Sequence, residues 1–320
     1  MCTPASCAVA TFYFSAVADD HRGKVVASDK FSFIEPWWSS MRRQRLRGLV
    51  FHNALSAAFI SNYTTAQVEF VRVDLSHYPR QSLNDARFAV MLAHLRANPR
   101  LQRVWMTDAR DVWVMADPLA PLVDGRIYAG HNLEPILTPG TPAVRNARMK
   151  DAPEWCRPLL RRNRDAPYLN AGLLGGQRTP FLRFLERVVD TLAEQPPHSN
   201  RNMLVVNCVL LADWQGRFAT SPAAPVHREC GQLANASERA RPVWFVHKCL
   251  LPEDAARGVP FRLPHGGLAS NFRSYLRGNV ARGGFKSFGA AGTRESRHEI
   301  RAKLRALRRS NTPDVVGLQN

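Results

Sequence analysis

Two carboxylates stand three residues apart behind a hydrophobic run in Arg103-Val-Trp-Met-Thr-Asp108-Ala-Arg-Asp111-Val-Trp-Val-Met-Ala-Asp117-Pro118. Carboxylates this close repel, and the repulsion costs stability unless a cation joins them. A hard divalent cation, Mn²⁺ or Mg²⁺, suits an all-oxygen ligand set. Such a cation can bridge to a diphosphate and stabilise it as a leaving group. The residues alone leave a second reading open, a structural loop in which Asp108 caps a helix and Asp111 pairs with Arg110 or another base. Four further features could join the chemistry. Asn170 precedes Gly172, where a missing side chain suits close approach of a ligand. His247 ends a late apolar run and is either a metal ligand or a structural histidine. Arg87 projects from the helix before the acidic pair, to reach a diphosphate or to pair with Asp85. The loop Asp19-Asp20-His21-Arg22-Gly23 follows the first apolar run, as a nucleotide-facing loop or a solvated turn.

Several common chemistries have no motif here. The chain contains neither a GxGxxG after a strand nor a GxxxxGK[ST] loop, so a bound diphosphate would have to be neutralised by a metal and by Lys or Arg. It also lacks HExxH and GxSxG, which lowers metalloprotease and esterase readings.

The elements that must position these residues follow an α/β pattern, with apolar runs alternating with helical periodicity. Strands are expected at 8–14, 49–51, 68–73, 103–106, 127–129, 169–174 and 243–246. A helix is expected over 85–98, where Phe88, Met91, Leu92 and Leu95 share a face and Pro99 stops it. A second begins at Thr179 with Pro180 at its first position, and a third covers about 201–214. Residues 138–165, rich in Pro, Arg and Asn, read as one long loop. In an open α/β sheet the ligand site lies beyond the carboxyl ends of the strands, which is where Asp108 falls.

Four blocks in order carry a family resemblance: Arg87-Phe88 with Val104-Trp-Met-Thr-Asp108-Ala-Arg-Asp111-Val and Asp117-Pro118; Tyr168-Leu-Asn170-Ala-Gly172-Leu-Leu-Gly-Gly176; Asn202-Met-Leu-Val-Val-Asn207; and Val243-Trp-Phe-Val-His247-Lys248. Over about residues 8–250 the chain resembles the nucleotide-diphospho-sugar transferases of GT-A fold. The resemblance implies a mixed α/β sheet flanked by helices, and a glycosyltransferase moving a sugar from a UDP- or GDP-sugar to the hydroxyl of a glycan or other acceptor. It implies that Asp108, Asp111 and His247 hold Mn²⁺ or Mg²⁺, and that Asp108, Asp111 and Asn170 are catalytic. Thr11, Arg87, Asp108, Asn170, Gly172, Asn207 and Lys248 would bind the donor. The chain departs from the family in two places. Its metal motif is Asp-x-x-Asp, in which Asp111 takes the second family position and Ala109 the first, so Asp111 is expected to bind directly and Asp108 through water or at the ribose. Asn202 and Met203 replace the usual Asp-Gln, which bears on the acceptor chemistry and leaves a catalytically inactive GT-A-like binding protein as the alternative.

Composition sets the remaining expectations. The 320 residues are 45% apolar and 22% charged, enough for a full core. Residues 5–18 form the longest apolar stretch, interrupted by Ser6, Thr11 and Ser15 and with no preceding Lys or Arg, and read as a buried strand rather than a signal peptide. The six cysteines (Cys2, Cys7, Cys156, Cys208, Cys230, Cys249) form no CxxC pair and are expected to be reduced in a cytoplasmic protein. Asn62-Tyr-Thr64 and Asn235-Ala-Ser237 match the N-glycosylation signal and, on that placement, read as chance. The net charge is +18, and between Arg273 and Arg309 eleven Lys and Arg face two Glu. Periodicity fails over 252–292, and a capping box at Ser296-Arg-His-Glu299 then opens a helix with Ile300, Leu304 and Leu307 on one face. The expected organisation is a catalytic domain over 1–260 and a basic appendage over 261–320, suited to an anionic membrane surface, an acidic glycan or nucleic acid. A nucleic-acid-binding protein built on that appendage is the second alternative.

Overall fold

A computed structural model describes residues 5–19, 23–136, 149–221, 224–229 and 243–247. In chain order its strands are β1 (Cys7–Tyr13), β2 (Ala18–Asp19), β3 (Lys24–Val25), β4 (Gly48–His52), β5 (Val68–Arg72), β6 (Arg103–Thr107), β7 (Val112–Val114), β8 (Ile127–Pro135), β9 (Pro167–Gln177), β10 (Phe218–Ala219), β11 (His227–Glu229) and β12 (Phe245–His247). The α-helices are α1 (Glu35–Gln44), α2 (Ala57–Tyr63), α3 (Leu83–Ala97), α4 (Arg157–Arg162), α5 (Arg178–Ala193) and α6 (Asn202–Asp213).

The main sheet has seven strands in the order β10-β8-β9-β6-β1-β4-β5. It is mostly parallel, with β9 running antiparallel to both of its neighbours, β6 and β8. Its central strands are buried on both faces. Along β1, Ala8, Ala10 and Phe12 join one apolar cluster while Cys7, Val9 and Tyr13 join the other. A strand covered twice reads as a continuous apolar run instead of an alternation, which is why 5–18 looked like one block.

Helix α3 follows Ser82, whose hydroxyl oxygen accepts from the Asp85 N–H at 3.1 Å and caps the first turn. It is buried on nearly every side, including Asp85 and Arg87, because it lies against both the sheet cluster and α5. Helix α5 starts at Arg178, so Pro180 occupies its third position rather than its first. The N–H groups of the first turn have no partner within the helix, so the proline costs nothing there.

A second, three-stranded sheet, β11-β12-β7, pairs β12 antiparallel to β7 and places His247 opposite Val112. A third apolar cluster gathers Ile136, Cys156, Leu160, Tyr168, Leu204, Cys208 and Leu211. There the segment expected to be a loop forms α4, and a disulfide joins Cys156 to Cys208 across 52 residues. Cys7 is disulfide-bonded as well. The expectation of reduced thiols is therefore corrected. Replacing Cys156 and Cys208 together by Ala should cost about 2–4 kcal/mol, because a long loop in the unfolded chain regains its freedom. Thermal melts of the two proteins test this, and coincident curves would show that the cluster's packing carries the local stability unaided.

No helix among the described residues is long and apolar enough to cross a membrane. The basic segment expected over 261–320, with its helix from Ser296, lies outside the described residues.

Candidate metal centre

Asp108, Asp111 and His247 come together at the carboxyl edge of the parallel strands. Asp108 is the first residue past β6, and its N–H donates to the Gly172 carbonyl at 2.8 Å, extending the pairing with β9. Asp111 immediately precedes β7, and the pairing of β7 with β12 delivers His247 beside it. His247 Nε2 lies 3.5 Å from Asp108 Oδ2 and 3.7 Å from Asp111 Oδ1. One ligand atom from each residue lies within 4.8 Å of the others, so small side-chain rotations would close the three around one divalent cation. His247 is buried, whereas Asp108 and Asp111 keep 35% and 29% of their side-chain surface exposed, leaving the carboxylates open to a ligand. This group fits a metal ion by donor chemistry and by geometry.

Arg87 meets a partner that its sequence position did not suggest. It pairs with Asp108 rather than Asp85, donating Nη1 to Asp108 Oδ1, Nη2 to the Ala171 carbonyl at 3.3 Å and Nε to the Asn84 carbonyl at 3.0 Å. Burial of the Asp108 carboxylate opposes ionisation, but the Arg87 charge and the hydrogen bond and charge of His247 outweigh it. Together they hold Asp108 well below the usual carboxylate range.

Asn170 reaches the same centre. Its Oδ1 accepts from the Gly172 N–H at 2.7 Å, and its Nδ2 donates to Asn132 Oδ1 at 2.9 Å and lies 3.5 Å from His247 Nδ1. His247 thus turns Nδ1 toward the Asn170 amide and Nε2 toward the carboxylates. The register explains how β9 achieves this. Consecutive β8 residues Ala129 and Gly130 face Leu174 and Asn170, so Ala171, Gly172 and Leu173 form a bulge. Bulges of this kind re-aim side chains next to functional sites. Gly172 is needed there for space: a methyl group would overlap the Asp108 carboxylate and lie 2.9 Å from Asn170 Oδ1. Gly172→Ala should accordingly leave the fold in place and weaken any binding of a divalent cation such as Mn²⁺ at this centre at least tenfold, or by about 1.4 kcal/mol, as read by thermal shift against metal concentration. An unchanged Mn²⁺ response in that variant would remove Asp108 from the ligand set.

The other expected site residues are placed differently. Thr11 is fully buried within the sheet, with its hydroxyl donating to the Thr107 carbonyl at 3.1 Å while Thr107 Oγ1 donates to the Ala10 carbonyl at 3.2 Å. Asn207 is fully buried on α6 and clamps the backbone of Leu169, accepting from its N–H and donating to its carbonyl, both at 2.9 Å. Its contact is with the strand that carries Asn170. Asn202 donates both its backbone N–H and its Nδ2 to Asp85 Oδ1 at 3.0 Å, so the acid of this pair belongs to α3. Asp117 accepts from the N–H groups of Leu119 and Ala120 and shapes the Asp-Pro turn. Lys248 and residues 20–22 lie outside the described residues.

Asn132 was missed from the sequence, as was a run of histidines. His131 meets Thr220 Oγ1 at 3.0 Å, and its ring lies 5.0 Å from that of His227, which is 6.2 Å from that of His247. The signal was the Gly130-His131-Asn132 break, where two half-buried polar residues follow a buried apolar run.

Compared with family models and with curated proteins, the chain matches none. The structure itself shows an α/β fold with a mostly parallel seven-stranded sheet and an Asp-Asp-His group able to hold a metal ion, both compatible with the GT-A resemblance.

Proposed function

We propose that this protein is a metal-dependent glycosyltransferase of GT-A type that moves a sugar from a nucleoside diphosphate to an acceptor hydroxyl. The observation that carries the reading is the convergence of Asp108, Asp111 and His247, braced by Arg87 and Asn170, at the ligand-binding edge of the sheet. With His247 as the neutral imidazole that metal ligation requires, the two carboxylates and the guanidinium sum to a single negative charge. That set repels a diphosphate by itself and attracts one once a divalent cation is bound. Asp108, Asp111 and His247 would hold Mn²⁺ or Mg²⁺, which supplies Lewis acidity for the departing diphosphate. Arg87 fixes the Asp108 carboxylate, and Asn170 presents its amide beside the imidazole and the cluster. In the reaction the acceptor oxygen bonds to the anomeric carbon, the bond from that carbon to the diphosphate oxygen breaks, and the hydroxyl proton passes to a base. The nucleoside diphosphate leaves with the bonding electrons.

A second reading, a sugar-nucleotide-binding protein without turnover, is favoured by the binding of Asn202 to Asp85 at the position where the related enzymes carry an acid. Thermal shift and donor hydrolysis with UDP- and GDP-sugars, each with Mn²⁺ and with chelator, separate the two. Metal-dependent stabilisation with hydrolysis supports the enzyme, metal-dependent stabilisation without hydrolysis or transfer supports the binder, and stabilisation indifferent to chelator overturns both.

A further inference from the structure

Every cysteine among the described residues is in a disulfide. Disulfides persist where folding is oxidising and are rare in the reducing cytosol. That changes the meaning of Asn62-Tyr63-Thr64, an acceptor sequence that is inert in the cytosol and functional along the secretory route.

The structure presents this tripeptide as an acceptor would need to be presented. Asn62 lies in the last turn of α2, with Ser61, Asn62 and Thr64 exposed. The anchors fall on the other residues of the turn. Phe59 is buried, and Tyr63 stacks on Phe31 with ring centroids 4.1 Å apart and accepts at its carbonyl from Trp38 Nε1 at 2.9 Å. A substituent on Asn62 therefore displaces none of the aromatic packing. Thr64 has already left the helix, with an extended backbone at φ −67° and ψ 134°. Helix α2 also runs from the carboxyl end of β4 back toward the start of β5, where Val68 pairs with Gly48. Asn62 thus lies toward the sheet edge opposite Asp108, and a bulky glycan there leaves the metal centre open.

We infer that Asn62 is an N-glycan acceptor and that the chain folds in an oxidising, glycan-transferring compartment, in place of the cytoplasm expected from the sequence. The donor is an oligosaccharide on a polyprenyl diphosphate. Its anomeric carbon bonds to Asn62 Nδ2, the amide gives up one proton, and the lipid diphosphate departs with the electron pair of the broken bond. This inference is independent of the sugar-transfer reading and can fail or stand without it.

The test is peptide mass spectrometry of the full chain captured from cells that naturally produce it, alkylated before reduction. The expected result is a Cys156–Cys208 cross-linked peptide and an Asn62 peptide whose added mass is removed by peptide-N-glycosidase. In the same cells Asn62→Gln and Thr64→Ala should lose the glycan and Thr64→Ser should retain it. None of the three touches the metal centre, and melting temperatures close to wild type confirm folding. An unmodified Asn62 peptide overturns the acceptor assignment, and a Cys156 alkylated without reduction overturns the compartment.

Discussion

Replacing Asp111 by Asn should abolish the Mn²⁺ dependence of nucleotide binding and lower sugar transfer by about two to three orders of magnitude, the scale of removing a preorganised charge-stabilising group. Asn keeps the shape and removes the charge. The remaining set of Asp108, Arg87 and His247 then has no net negative charge to draw a cation, because Arg87 already offsets Asp108. The bound diphosphate is left without its Lewis acid. The Arg87–Asp108 pair is untouched by this change, and loss of the Asp111 charge beside His247 should cost less than about 1 kcal/mol. Calorimetric titration of UDP and GDP into wild type and variant, with Mn²⁺ and with excess chelator, measures the effect. A melting temperature that falls sharply with Mn²⁺ dependence intact would make Asp111 a structural ion-pair partner instead.

Arg87→Met should produce a clear loss of stability in the metal-free protein. The guanidinium is buried and serves two backbone carbonyls besides Asp108, while methionine keeps only the stem. Removing one partner of a buried pair costs about 3–5 kcal/mol. Because Asp108 keeps part of its surface in water, about 2 kcal/mol is the expected figure here. The pH dependence has a definite sign. Arg87 and His247 depress the Asp108 pKa in the folded state, so this pairing stabilises the fold above about pH 4, and the benefit is lost as pH falls further. The gap between wild type and variant should thus be full at neutral pH and narrow in acid. Mn²⁺ should also raise the melting temperature of the variant more than that of wild type, because Asp108 is no longer shared between a guanidinium and the cation. Equal Mn²⁺ shifts in both proteins would mean that Arg87 braces the fold without touching the metal chemistry.

The sequence made the long elements legible for physical reasons. Strands β1, β4, β6 and β9 are covered on both faces and wrote themselves as apolar runs, and α3 and α5 were marked by spacing and by Pro99 and Pro180. Asp108 and Asp111 stood out because paired acids after a strand are costly without a purpose. Helix α1 escaped because its buried face is made by Pro36, Trp37, Ser40 and Met41, which do not form an aliphatic periodicity. Helix α4, with Pro158 in its first turn, and β7, three residues long, are too short for periodicity to register. The Cys156–Cys208 bond and the Asn132–Asn170–His247 chain join residues far apart in sequence, and in the second a register jump between β8 and β9 decides which of them meet. The pairing of Arg87 with Asp108, which is neither the diphosphate nor the Asp85 contact expected of it, likewise depends on where α3 lies.

The position of β9 in the middle of the main sheet has a consequence for hydrogen exchange. Leu174, Gly175 and Gly176 are paired on one side with Met106, Trp105 and Val104 and on the other with Ala129, Tyr128 and Ile127. Amides of such a strand exchange only when the whole domain opens, whereas edge strands and loops open locally. Asn170 and Gly172 stand on that same strand, a few residues away. Slowing of exchange at Leu174 on adding a nucleotide would therefore report global stabilisation, equal to RT ln(1 + [L]/Kd), rather than a local contact. Deuterium uptake along this one strand can weigh a bound ligand without any assay of turnover.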